Sequence, residues 1–271
     1  MMLPSCIIDF DWILSEQPAL RSGRYGPVFS AMSSSDGQLL WAERVELQSS
    51  VVDQVLSHLR HTPKPAPDQN LVQYLGYQQQ GDALYLFSEA LHGGSLRRLI
   101  REQGALPLPI IQRTLRYLVN GLVDLQLEHG FAVAYLDPDH IWLDYDTRPQ
   151  IELPILDTTL VGYRFPSAFI SLPEIARGQG INHKSDVFLL GIITAQLLSG
   201  QADLVADYET ATAFVARLAH GQAAAVDLLL PDHKPSNRDQ LAMDFLGKCL
   251  TVEVEKRPSV RELQGHPFME E

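Results

Sequence analysis

The chain has 271 residues, 45% of them hydrophobic, enough for one large domain or two small ones around an ordinary core. Its 33 acidic and 21 basic side chains leave a net charge of −12, which argues against a large nonspecific phosphate-binding surface and makes nucleic acid an unexpected partner. Two cysteines, Cys6 and Cys249, give no disulfide framework and no CxxC metal motif, no apolar run reaches the ~18 residues of a membrane span, and MMLPSCIIDF lacks the regions of a signal peptide, so a reducing cytoplasm is expected and no membrane partner. In chain order, residues 10–90 read as strands. A first ends near Leu20 and a second covers Val28–Met32. Ser34-Ser35-Asp36-Gly37 is a hairpin signal, and a third strand, Leu39–Leu47, follows. A short helix is predicted over Val51–Leu59, then a loop, residues 61–67, too rich in proline to be helical. Leu71–Tyr77 and Ala83–Phe87 complete five strands with one inserted helix.

From residue 95 the pattern turns helical. Ile111, Leu115, Leu118, Leu122 and Leu125 fall on one face of a long helix. Asp186 is expected to cap a helix that is apolar on all sides, hence buried, and that ends at Gly200. Leu241, Phe245, Cys249 and Leu250 form another apolar face, and Ser259 with Glu262 makes a capping box. The expected class is α+β, with a small five-stranded lobe over 1–91 and a larger helical lobe over 92–271.

The run Val133-Ala134-Tyr135-Leu136-Asp137-Pro138-Asp139-His140-Ile141-Trp142-Leu143 lies without a gap in the frame H-R-D-x-K-P-x-N-I-L-L. Arg21-Ser22-Gly23-Arg24-Tyr25-Gly26-Pro27-Val28 stands where G-x-G-x-x-G-x-V would, with Arg21 for the first glycine. Asn70–Tyr77, Leu84–Glu89 and Gly93-Gly94-Ser95-Leu96 come next in order. So do Leu172-Pro173-Glu174, Ser185-Asp186-Val187-Phe188-Leu189-Leu190-Gly191, Lys256-Arg257-Pro258-Ser259 and His266-Pro267-Phe268. In these landmarks the chain resembles the protein kinase family over roughly residues 10–268. The resemblance implies a bilobal kinase fold. It also implies that Glu174 and Arg257 form a buried ion pair and that Asp186 braces the catalytic-loop backbone.

The same resemblance places altered residues at the nucleotide site. The His-Arg-Asp triplet reads Val133-Ala134-Tyr135, the lysine reads Asp137 and the asparagine reads His140. Trp142 takes the position that floors the adenine pocket, and Ser88 lies in the hinge run. On the third strand, counting from the Asp36-Gly37 turn puts Trp41 and Glu43 at the adenine and phosphate positions; a slide of one residue puts Ala42 and Arg44 there and swaps the strand faces. Val45 on the inward face favours Trp41 and Glu43. The metal-binding D-F-G reads as Asp157-Thr158-Thr159 or as Ile155-Leu156-Asp157, and the partner acid of the inserted helix is Asp53 or falls at Val52. His129, His140, His183 and His266 do not cluster by spacing, so no metal is expected, and the cofactor expectation is none.

The pocket of Gly23, Gly26, Trp41, Glu43, Ser88, Tyr135, His140, Trp142 and Asp157 therefore reads as degenerate. On that reading the chain is expected to be a catalytically inactive domain that does not bind ATP. It would act as an allosteric or scaffolding regulator of a protein kinase domain in cis or in trans, or as a homodimer. The alternative is a kinase-fold enzyme with a rearranged active site, in which Asp137 or Asp139 serves as a displaced base. Within the family the chain is most similar to the pseudokinase domain of the uncharged-tRNA-sensing translation-initiation-factor (general-control) kinase, or to an inactive Ste-type kinase. The first likeness implies translation control and stress response.

Overall fold

The computed structural model describes residues 11–23, 26–46, 69–130, 132–133, 136–153, 171–205, 208–219, 224–230 and 239–270. They divide into a sheet unit, drawn from residues 11–46 and 72–92, and a helical unit, drawn from 69–71, 93–153 and 171–270. The helix predicted over 51–59, the proline-rich loop, Asp53, Tyr135 and Asp157 lie outside the described residues.

In the sheet unit, β1 (Trp12–Leu14), β2 (Arg21–Ser22), β3 (Pro27–Ser33), β4 (Leu39–Glu46), β5 (Tyr74–Gln80) and β6 (Ala83–Glu89) form one antiparallel sheet. Its order is β1-β3-β4-β6-β5, with β2 also on β3. The first predicted strand is thus two short pieces, both paired with β3. The β3–β4 turn closes where Asp-Gly predicts it: Ser33 N–H donates to the Gln38 carbonyl at 2.9 Å, and Gly37 takes φ 75°, open to glycine without strain. Leu71, expected to begin a strand of this sheet, instead bridges Ile151 in the helical unit.

Strand alternation divides the side chains of β4 between two faces. Ala42 packs with Ala31, Leu40, Tyr85 and Phe87 beneath Trp12, whose ring lies 5.0 Å from Tyr85 and 4.8 Å from Phe87. Trp41, Glu43 and Val45 share the opposite face. Their partners on β6 are Ser88, Leu86 and Leu84.

The helical unit opens with α1 (Leu96–Gln103) and α2 (Leu108–His129). A 3-10 turn, Pro138–His140, leads into the hairpin β7 (Ile141–Leu143) and β8 (Pro149–Ile151). Then come α3 (Pro173–Ala176), α4 (His183–Ser199), α5 (Tyr208–Ala219), α6 (Ala225–Leu229), α7 (Gln240–Cys249) and α8 (Val260–Gln264). The face of α2 predicted from its spacing is buried: Ile111, Leu115, Leu118, Leu122 and Leu125 are each at most 1% exposed. Burying five such side chains contributes roughly 1.5–3 kcal/mol apiece before entropy is counted. Helix α4 is buried from Ser185 through Leu197 and ends at Gly200, φ 72°. A Cβ on its Gly191 would sit 2.8–2.9 Å from Leu250 and Cys249, so glycine sets how closely α4 and α7 approach.

Two helix-end expectations need correction. Asp186 does not cap α4. Asn182 does, its side chain accepting from Lys184 N–H, with Ser185 completing a capping box. A buried Asp186 carboxylate has a partner elsewhere, and a short amide one turn earlier serves the exposed N–H groups. On α7 Leu241 is 49% exposed, and the buried stripe is Ala242, Phe245, Leu246 and Cys249. The Ser259–Glu262 box is present at the start of α8.

Candidate functional site

The glycine turn is built in the sheet unit. Gly23 N–H donates to the Gly26 carbonyl at 2.7 Å, closing the turn between β2 and β3. Gly26 N–H donates to Glu43 Oε1 at 3.1 Å. A side chain at Gly23 would collide with the Glu43 carboxylate, and one at Gly26 with the Arg44 carbonyl. The Gly26 amide is thus bonded to a carboxylate of the neighbouring strand. Glu43 is only 7% exposed. Beside it the Arg21 guanidinium stacks on Trp41, 5.0 Å from the ring centroid, a cation–π contact. Ser88 is buried on β6 opposite Trp41.

The catalytic-loop frame lies in the helical unit, and Arg97 of α1 organises it. This guanidinium is 5% exposed. Its Nε donates to Asp139 Oδ2 at 2.7 Å, Nη2 to Asp137 Oδ1 at 3.1 Å, and Nη1 to Asp203 Oδ1 at 2.8 Å and to the Ala202 carbonyl at 2.5 Å. Burial pulls the Arg97 pKa down, and the charges of Asp137 and Asp139 outweigh it, so the group is held above its usual value. Asp137 also caps the 3-10 turn, accepting from Asp139 N–H at 2.8 Å. Both carboxylates weighed as displaced bases are thus counter-ions of Arg97.

Next to this turn lies a second cluster. Glu152, just after β8, is 7% exposed. Its Oε2 accepts from Trp142 Nε1–H at 3.1 Å and lies 2.9 Å from His140 Nδ1. Glu152 N–H donates to the His140 carbonyl at 2.9 Å, so backbone and side chains fasten the two residues together. Trp142 is 8% exposed on β7, paired with Gln150 and bridged to Ser95. Sequence reasoning named His140 and Trp142 but missed Glu152. The available signal was one acid inside the apolar run Ile151-Glu152-Leu153.

The structural residues come together as a brace. Arg257 Nη1 and Nη2 meet Glu174 Oε1 and Oε2 at 3.0 and 3.1 Å, both side chains fully buried. Ser185 Oγ donates to Glu174 at 2.6 Å, and the guanidinium lies 4.8 Å from the Phe188 ring centroid. Burial pushes the Glu174 carboxyl up, and the hydrogen bonds from Arg257 and Ser185 hold it below the ordinary range. Asp186 Oδ2 accepts from Val133 N–H at 2.9 Å and from Gln126 Nε2 at 3.0 Å, tying α4 and α2 to the backbone at Val133.

Magnesium takes oxygen ligands in near-octahedral geometry. Among the described residues no three His, Cys, Asp or Glu side chains gather around one point, and Glu152 Oε2 is engaged by two nitrogens. Also among the described residues, no helix is long and apolar enough to cross a membrane.

A family model described as "Protein kinase domain" matches residues 163–269. The chain is 27% identical to the MAP kinase kinase kinase mkh1 of Schizosaccharomyces pombe, covering 96% of this chain and 24% of that protein. It is 26% identical to the serine/threonine-protein kinase BCK1/SLK1/SSP31 of Saccharomyces cerevisiae, over 97% of this chain and 18% of that one. It is 24% identical to mitogen-activated protein kinase kinase kinase 2 of Arabidopsis thaliana, over 91% of this chain and 39% of that one. The chain therefore spans less than half the length of each of these relatives. A solved structure of Rad53 1-466 in complex with AMP-PNP superposes with a TM-score of 0.72 at 17% identity, over 96% of this chain and 65% of that chain. The fold is the bilobal fold of protein kinases, an antiparallel sheet lobe and a helical lobe, and these matches support the protein kinase superfamily.

These findings overturn the expectation of an inactive allosteric or scaffolding domain and of a chain that is no enzyme. The relatives that match through nearly the whole chain are named as MAP kinase kinase kinases and as a serine/threonine-protein kinase. The expectation went astray by treating each changed letter as a lost group. A motif frame aligns positions in the sequence and does not show which side chains converge in space, as Glu152 does on His140.

Proposed function

We propose that this chain is a phosphotransferase domain of protein kinase type with a rearranged site. It passes a phosphoryl group from a nucleoside triphosphate to a serine or threonine hydroxyl of a partner protein kinase, in cis or in trans. The observation that carries this reading is the extent of the match to named MAP kinase kinase kinases, 96% of this chain in the first and 91% in the plant protein. The intact brace of Glu174, Arg257 and Asp186 supports it, because that brace fixes the loop on which the chemistry would sit. Neither of the two finer resemblances, to the general-control pseudokinase domain or to an inactive Ste-type kinase, carries any part of the proposal.

The test incubates the chain with labelled ATP, magnesium or manganese, and a MAP kinase kinase as acceptor. Labelled phosphoserine or phosphothreonine is the expected result. The melting temperature should also rise by several degrees at millimolar nucleotide, since a ligand at 100 times its dissociation constant adds about 2.7 kcal/mol. Glu43→Gln removes a negative charge beside the glycine turn and should enlarge that rise. No incorporation above a heat-inactivated control, with no thermal shift, overturns the proposal.

A further inference from the structure

We infer that Thr147 and Arg113 form a latch that closes the tip of the β7–β8 hairpin onto α2, and that the Thr147 hydroxyl offsets a strained backbone at that tip. The latch belongs to the fold and stands apart from the reaction proposed above. Between β7 and β8 the chain turns through Asp144-Tyr145-Asp146-Thr147-Arg148. The first residue of this run closes it. The Asp144 carbonyl accepts from Thr147 N–H at 3.1 Å, and Asp144 N–H donates to the Arg148 carbonyl at 3.0 Å. The Asp144 carboxylate adds two more bonds, its Oδ1 accepting from the Asp146 and Arg148 N–H groups at 2.8 Å each. A three-residue hairpin loop closed this way needs a left-handed residue at its last position.

That position is Thr147, with φ 60°. Glycine or asparagine takes such a place with little strain, whereas a β-branched side chain there crowds the backbone. Thr147 is exposed, so burial does not select its methyl group. What the side chain makes is a bond: Oγ1 accepts from Arg113 Nη2 at 2.6 Å, from the second turn of α2 and 34 residues away in the chain. A hydroxyl facing a guanidinium makes a charge-assisted hydrogen bond, stronger than one between neutral groups. Backbone strain persists only where neighbouring contacts hold it in place. The buried face of α2 makes the helix a fixed post, and Arg113 reaches from that post to the tip. Tyr145 stands on the same tip, 80% exposed. The latch therefore sets where this ring is presented, while the base of the hairpin is held separately by Glu152 on Trp142 and His140.

The experiment is native-state amide hydrogen exchange by NMR on the whole chain, read as protection factors at Asp144, Thr147 and Arg148, with the α2 amides from Leu115 to Leu122 as the control for the rest of the fold. Thr147→Val keeps the strained backbone and removes the acceptor, so protection at the tip should fall about tenfold. Arg113→Ala should lower it in the same direction. The double variant should be no less protected than Thr147→Val alone, because both changes remove one bond. Thr147→Ser keeps the hydroxyl without the branch and should be protected at least as well as the wild type. Thr147→Gly loses the bond and the strain together, and should fall between Thr147→Val and the wild type. Wild-type protection in Thr147→Val, additive losses in the double variant, or a Thr147→Gly tip as open as that of Thr147→Val overturns the latch. So does a matching loss in the α2 amides, which would place the effect in the fold at large rather than at the tip.

Discussion

Arg257 and Arg97 are both buried in the helical unit, and they carry their charge in different ways. Arg257 meets one carboxylate, Glu174, through two parallel hydrogen bonds, and two further donors go to the Thr251 and Lys184 carbonyls. Neither partner is exposed. Arg97 meets three carboxylates, of which Asp137 is 8% exposed while Asp139 and Asp203 are 55% and 51% exposed. The first arrangement is closed and neutral. The second is open to water on two sides and carries excess negative charge, shared in part with Arg101 on Asp203. A closed pair fixes where α3 and α4 lie. An open hub holds a turn by a balance that water and salt can shift, and that turn carries His140.

The largest expected effect is at the closed pair. Arg257→Ala leaves Glu174 without its counter-charge, held only by Ser185, and breaking a buried pair this way costs roughly 3–5 kcal/mol. Denaturant unfolding at pH 7 measures it, and a near-wild-type midpoint would mean the pair contributes nothing. The pH dependence sharpens the test. The Glu174 carboxyl is pushed up by burial but held lower still by Arg257 and Ser185. A depressed folded pKa gives stability that is present above the unfolded value near 4.3 and lost as pH falls through the folded one. Arg257→Ala removes the depression, so its deficit against the wild type should narrow below about pH 4.

Arg97→Ala should cost less, about 2–3 kcal/mol, because only Asp137 is left bare and the other two acids turn to water. Salt separates the two arginines. Exposed charges are screened over about 3 Å at 1 M, buried ones far less. The Arg97→Ala deficit should therefore shrink between 0.1 and 1 M sodium chloride, while the Arg257→Ala deficit holds. Equal salt dependence at both sites would erase the distinction between a closed pair and an open hub.

The two arginines also differ in how far the sequence reveals them. Arg257 and Glu174 each lie inside a short motif whose neighbours announce the position, so a pair 83 residues apart was legible. Arg97 meets acids 40, 42 and 106 residues away, and no local pattern links an exposed-looking arginine of Ser95-Leu96-Arg97-Arg98 to them. Periodicity carried the elements well where burial is one-sided, as on α2, and poorly at ends, where Asn182 rather than Asp186 caps α4. At the site, the letters of the loop were legible but their contacts were not. Glu152 reaches its partners through the hairpin β7–β8, which folds it back onto His140 and Trp142, and only pairing in three dimensions brings those side chains to one oxygen.

The smallest effect tests the open hub from its wet side. Asp203 accepts from Arg101 Nη2 at 2.9 Å and from Arg97 Nη1 at 2.8 Å. Its carboxyl is held below the usual range by Arg101 first, with Arg97 adding to it. Asp203→Asn keeps an acceptor oxygen in place and removes only the charge. Half-exposed pairs are worth about 0–1 kcal/mol, and losing one of three acids around Arg97 also relieves their mutual repulsion. The expected loss is therefore near 0.5 kcal/mol at pH 7. The depressed pKa makes that contribution present above about pH 3.9 and lost as pH falls below it, so wild type and variant should converge in acid. Urea unfolding at pH 7 and pH 3 measures both. A loss above about 2 kcal/mol, well beyond that of an exposed pair, would mean that Asp203 closes the hub as tightly as Glu174 closes on Arg257. The turn that carries His140 would then be as rigidly fixed as the brace beneath it.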